Sequence, residues 1–127
     1  MVAEVAAATL MLGVGLVHVA PGVVAFAPGR AASVYGTDVA NPDLELLLRH
    51  RAVLLASTGA ALITGALVPP VRVAALTAGV VSVSSFLALT AVIGTAALNA
   101  KTRRVARVDV GALAALVGAG CLLVLGR

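Results

Sequence analysis

The chain is short of charge, of aromatic rings and of cysteine, and each shortage removes a class of function. Only 11% of its 127 residues are Asp, Glu, Lys or Arg, too few for an ordinary soluble domain, about a quarter of which is charged. Phe26, Tyr35 and Phe86 are its only aromatic residues. Basic and aromatic residues do not alternate, so nucleic acid is not an expected partner. Cys121 is the sole cysteine, which excludes an internal disulfide, a CxxC redox pair and a thiolate metal centre. His18 and His50 lack the carboxylate spacing that would complete a metal site. Gly13-Val14-Gly15-Leu16-Val17-His18 has His where a dinucleotide fingerprint needs its third Gly, and neither a phosphate loop nor a nucleophile elbow occurs. No metal, cofactor or catalytic residue is therefore expected, and an enzyme is the less favoured reading.

What the chain has instead is length without charge. Hydrophobic residues make up 61% of it, and its mean hydropathy is +1.14. Uncharged runs of 25, 17, 26 and 17 residues extend over Val5–Gly29, Ala52–Val68, Val73–Leu98 and Val110–Gly126. At about 1.5 Å per residue the long runs cross about 30 Å of hydrocarbon, and the short ones reach it by recruiting flanking residues with long side chains. The expected fold is all-α, a four-transmembrane-helix antiparallel bundle forming one membrane domain over 1–127, with helices at 5–28, 43–68, 71–98 and 106–126. Glu4 is the only early charge, so the first segment lacks the basic region of a signal peptide.

Charge fixes the expected orientation. Arg30, Arg49 and Arg51 lie between the first and second spans, and Lys101, Arg103, Arg104 and Arg107 between the third and fourth; Arg72 and Arg127 lie opposite. Seven positive side chains against two put the long connections in the cytoplasm and both termini outside, in a multi-pass protein of a bacterial inner membrane. Anionic lipid headgroups suit that basic skirt. A homo-oligomer or a larger membrane complex is expected for so small a bundle.

The connections carry local signals. Residues Arg30 to Ala40 read as a loop, after which Asn41 can cap the second helix, Pro42 fits its first turn, and Asp43 and Glu45 complement its dipole. Pro69-Pro70 ends that helix in a tight hairpin turn. Helices in lipid associate through small residues and buried polar contacts; Ser57, Ala61 and Gly65, and Gly111, Ala115 and Ala119, are the expected packing faces.

Ionisable groups in or beside the bilayer are functional hypotheses by default. The antiparallel topology gathers His18, Glu45, Arg49, His50, Arg51, Asn99 and Asp109 at the cytoplasmic end, with Glu4 stranded at the other. Two readings are open. In one, Arg49 and Arg51 reach headgroups, Asp109 pairs with one of them, and His18 bonds a backbone carbonyl. In the other, these residues line a polar pocket in which an Arg clamps a carboxylate or phosphate and His18 supplies a proton or a hydrogen bond.

At Gly15–Gly22, GLVHVAPG, and Leu46–Leu55, LLLRHRAVLL, the chain resembles small four-helix bacterial membrane proteins that are loosely DoxX-like. Some of that group carry the name phosphopantetheine adenylyltransferase, whose H-x-G-H motif is absent here. The resemblance implies a compact bundle with signature positions at the helix-one His and the helix-two Arg-His-Arg, and attaches no reaction to them. In size the chain is also similar to small multidrug resistance transporters, but Glu4 lies too near the end to match their central Glu. The leading expectation is a binding or accessory subunit. Small-solute transport would need a polar path from the cluster to Glu4, and a membrane enzyme acting on a lipid or quinone would need His18 and Arg51 on one cavity.

Overall fold

A computed structural model describes residues 1–27, 29–37 and 40–126; Pro28, Asp38, Val39 and Arg127 lie outside the described residues. The described chain is helical apart from its short connections, and no strand occurs among the described residues. Four helices are long and apolar enough to cross a membrane: Val2–Phe26, Pro42–Leu67, Pro69–Ile93 and Ala100–Leu125. Each span packs against the next in sequence, and the fourth returns to the first, which closes the antiparallel bundle. Large apolar side chains cover the outside, among them Phe26 (90% exposed), Val92 (84%) and Leu125 (84%). Such a surface belongs in lipid. The chain is a small integral, multi-pass membrane protein.

Local chemistry explains most boundaries. Pro21 lacks an N–H and cannot bond the carbonyl of Val17, and there the first span tightens into a 3₁₀ turn over Ala20–Gly22 before resuming at Val23–Phe26. Asn41 caps the second span through its Oδ1, which accepts the Asp43 N–H at 2.9 Å. Leu67 ends that span, and Pro69–Val71 form the 3₁₀ turn into the third.

Three expectations are corrected. The segment after Arg30 is not all loop: Gly29–Tyr35 forms a short helix. The third α-helix stops at Ile93 rather than 98, because Gly94 turns the backbone to φ 89°. The fourth begins at Ala100, six residues before 106, with Asn99 Oδ1 accepting the Thr102 N–H at 2.9 Å as its cap.

The tightest helix contact also differs from the expected faces. A Cβ on Gly15 would lie 2.9 Å from the Gly59 carbonyl oxygen, and one on Gly59 would lie 2.6 Å from that of Gly15. The first and second spans therefore cross backbone to backbone, an approach only glycine permits. Of the expected faces, Ser57 is exposed and a methyl group at Gly111 would meet nothing within 4 Å, but a Cβ on Gly65 would lie 2.6 Å from that of Ala75 on the third span and Ala119 is fully buried in the core, so each face packs only over part of its length. Below the crossing, Met11, Leu62, Val83 and Leu116 fill a fully buried apolar core. A second, smaller core of Val24, Ala25, Ala31 and Ala52 seats the short helix on the opposite end.

Candidate functional site

The site grows from three helix faces. On the first span Val17, His18 and Pro21 fall on one side at spacings of one, three and four. On the fourth, Lys101, Arg104, Val105, Val108 and Asp109 follow i, i+3, i+4, i+7 and i+8. Arg51 and Leu55 come from the second span at i, i+4. With Tyr35 and its neighbours on the short helix as a roof, these residues enclose a cavity of about 360 Å³ at the basic end of the bundle. That volume is within the range of small-ligand pockets, about 300–1,000 Å³.

The roof is fixed by hydrogen bonds to the fourth span. Asn99 Nδ2 donates to the Tyr35 carbonyl at 2.8 Å, and Thr102 Oγ1 donates to the same oxygen at 3.3 Å. The Asn99 side chain thus caps one helix with its oxygen and holds another with its nitrogen. Gly36, at φ 65°, ends the short helix in a left-handed turn and leaves that carbonyl accessible.

Arg51 turns into the bundle rather than out to headgroups. Its Nη1 donates to the Tyr35 hydroxyl at 2.6 Å, and its Cζ lies 5.1 Å from the Tyr35 ring centre and 4.8 Å from that of Phe86. Two aromatic faces and one hydroxyl hold a guanidinium in place while most of its N–H groups remain free to bind. Phe86 brings the third span into the setting of this cation, which itself comes from the second.

His18 is 3% exposed, and its Nδ1 lies 3.0 Å from the Val14 carbonyl oxygen. A carbonyl only accepts, so Nδ1 carries the hydrogen and, in the neutral ring, Nε2 is left as an acceptor. Asp109 is 9% exposed and lines the same cavity as His18 and Arg51. No ion pair forms between Asp109 and either arginine among the described residues, where the one salt bridge is Arg49 Nη1 to Glu45 at 3.2 Å.

The structure thus brings His18, Arg51 and Asp109 of the expected cluster onto one cavity, and gives Asn99 a positioning role beside it. Glu45, Arg49 and His50 stay outside. Glu45 and Arg49 pair on the surface, and Arg49 Nε also donates to the Ala25 carbonyl at 2.9 Å, tying the end of the first span to the second. His50 is exposed. Tyr35, Lys101 and Arg104 complete the cavity and were not expected there. The signal for the two cations is their shared helical face with Asp109; Tyr35, in a stretch without periodicity, carries no such signal.

Toward the other end, the path to Glu4 passes through the fully buried apolar layer of Met11, Leu62 and Leu116. Among the described residues no three His, Cys, Asp or Glu gather as a metal ion needs. No protein-family model, curated protein or solved structure matches the chain.

Proposed function

We propose that the chain is a membrane-embedded binding subunit whose cavity holds a small amphipathic molecule with an acidic group. The observation that carries this reading is Arg51: a part-buried guanidinium held by Tyr35 and Phe86 and lining the same cavity as His18. Partly desolvating a fixed cation costs stability unless something of opposite sign or a strong acceptor meets it. Lys101 and Arg104 add two positive charges at the mouth, while Val17, Leu55, Val105 and Val108 offer apolar walls. An Arg fork with flanking cations suits a carboxylate or phosphate, and the walls suit a hydrocarbon part.

The excess of Lys and Arg in the loops at this end supports a cytoplasmic position for the cavity, with both termini outside. The DoxX-like resemblance belongs to the same proposal, since the two stretches that carry it contribute His18 and Arg51. Transport is less well supported, because the buried Met11, Leu62 and Leu116 layer stands where a polar path would run.

Native mass spectrometry of the protein released from mild detergent tests the binding reading. The wild type is expected to carry an acidic amphiphile that Arg51→Ala and His18→Ala both lose while remaining helical by circular dichroism. A bare wild-type protein, or an adduct indifferent to both substitutions, would return the cluster to a purely structural role.

A further inference from the structure

The cavity's deep wall presents hydrogen-bond acceptors with no donor among the described residues. Asp109, although more than nine-tenths buried, makes no hydrogen bond or ion pair with any described residue. His18 has spent its one ring hydrogen on Val14, so its Nε2 is a lone pair. These atoms are open to the cavity, and acceptors that face it without a protein donor are met best by a ligand that supplies hydrogen-bond donors without adding a further positive charge beside Arg51, Lys101 and Arg104, as hydroxyl groups do. The mouth has the opposite character. Lys101 and Arg104 are exposed and pair with no acid among the described residues, and they stand about two and about one and a half helical turns before Asp109 in the lining of the same cavity. The wall between also has a direction: Val17 and Val108, on the first and fourth spans, are 49% and 45% exposed, so the cavity lining continues onto the lipid-facing surface.

From this layout we propose that the ligand is a membrane lipid with an anionic, hydroxylated headgroup. The hydroxyls donate to Asp109 and His18, the anionic group lies between Arg51 and the Lys101 and Arg104 side chains, and the hydrocarbon leaves along Val17 and Val108 into the bilayer. This rests on the reading of the cavity as a binding site and adds which chemistry it selects. An anionic headgroup without donor hydrogens leaves Asp109 unmet; a soluble headgroup without chains forgoes the valine path.

The test is a binding titration of the delipidated full chain in detergent with three probes. Phosphatidylglycerol carries charge, hydroxyls and chains; phosphatidylpropanol carries the same charge and chains without hydroxyls; glycerol phosphate carries charge and hydroxyls without chains. Phosphatidylglycerol is expected to bind about tenfold tighter than phosphatidylpropanol, the scale of one buried hydrogen bond, and far tighter than glycerol phosphate. Asp109→Asn should shrink the preference between the two lipids, and Arg104→Ala, at an exposed position that leaves the fold intact, should weaken both equally. Equal binding of the two lipids, both lost in Arg51→Ala, would overturn hydroxyl selection and leave the binding site standing. Glycerol phosphate binding as tightly as phosphatidylglycerol would overturn the membrane source. Binding of none of the three, together with a bare native spectrum, would overturn the site itself.

Discussion

The two ends of this bundle are held by different physics. At the Glu4 end and through the middle, helices meet through close packing: Gly15 against Gly59, and Met11, Leu62, Val83 and Leu116 in a dry core. At the basic end a smaller apolar core of Val24, Ala25, Ala31 and Ala52 is supplemented by several polar joints, Asn99 and Thr102 on Tyr35, Arg51 on the Tyr35 hydroxyl and Arg49 on Ala25. The other end has a single such joint among the described residues, Arg72 on the Gly65 and Ala66 carbonyls. Lipid offers no hydrophobic force between helices, so a membrane bundle relies on van der Waals contact or on hydrogen bonds that lipid cannot replace. Close packing leaves no room for a ligand. Hydrogen-bonded joints hold helices apart and do leave room, and the cavity lies where they are concentrated.

That contrast can be broken from the packed half. Gly59→Leu forces a side chain into the Gly15 backbone and should cost about 3 kcal/mol or prevent folding, read as the loss of helicity during titration from mild detergent into dodecyl sulfate. Leu116→Ala opens a void in the core and should cost about 2 kcal/mol in the same titration, while the purified protein keeps its bound amphiphile. An effect on ligand retention as large as that on stability would erase the distinction between the halves.

Smaller changes at the basic end sharpen it. Asn99→Ala removes the cap of the fourth span and its bond to the Tyr35 carbonyl, for about 1 kcal/mol of stability, and the loosened roof should speed ligand dissociation measurably. Tyr35→Phe keeps the ring against Arg51 and removes only the hydroxyl; its stability should change by about 1 kcal/mol or less, with ligand affinity falling more than stability predicts. Glu45→Gln breaks an exposed pair and should alter stability by less than about 0.5 kcal/mol and ligand binding not at all.

The spans were legible because uncharged length is unambiguous, and the gathering of His18, Arg51 and Asp109 followed from antiparallel order. Which of Arg49, His50 and Arg51 faces inward was not legible. Successive residues turn about 100° around a helix, so the three point in different directions, and in lipid the apolar residues of the second span surround it without marking its inner face. The Gly15 and Gly59 crossing was hidden for a related reason: with 13 glycines in the chain, small-residue ladders occur on several faces, and only the fold selects one. Tyr35 escaped because the short helix that carries it is fixed by contacts from Asn99 and Thr102, more than sixty residues away.

The most direct test of a ligand cavity open on the basic side, above a closed core, is thiol accessibility in membrane vesicles. In a Cys121→Ser background, Val105→Cys places a thiol in the cavity wall and Leu116→Cys one in the core. A charged, membrane-impermeant thiol reagent is predicted to label the first only from the side of Lys101 and Arg104, to be slowed there by added phosphatidylglycerol, and never to label the second. Equal labelling of both positions, or labelling of neither from that side, would contradict the account.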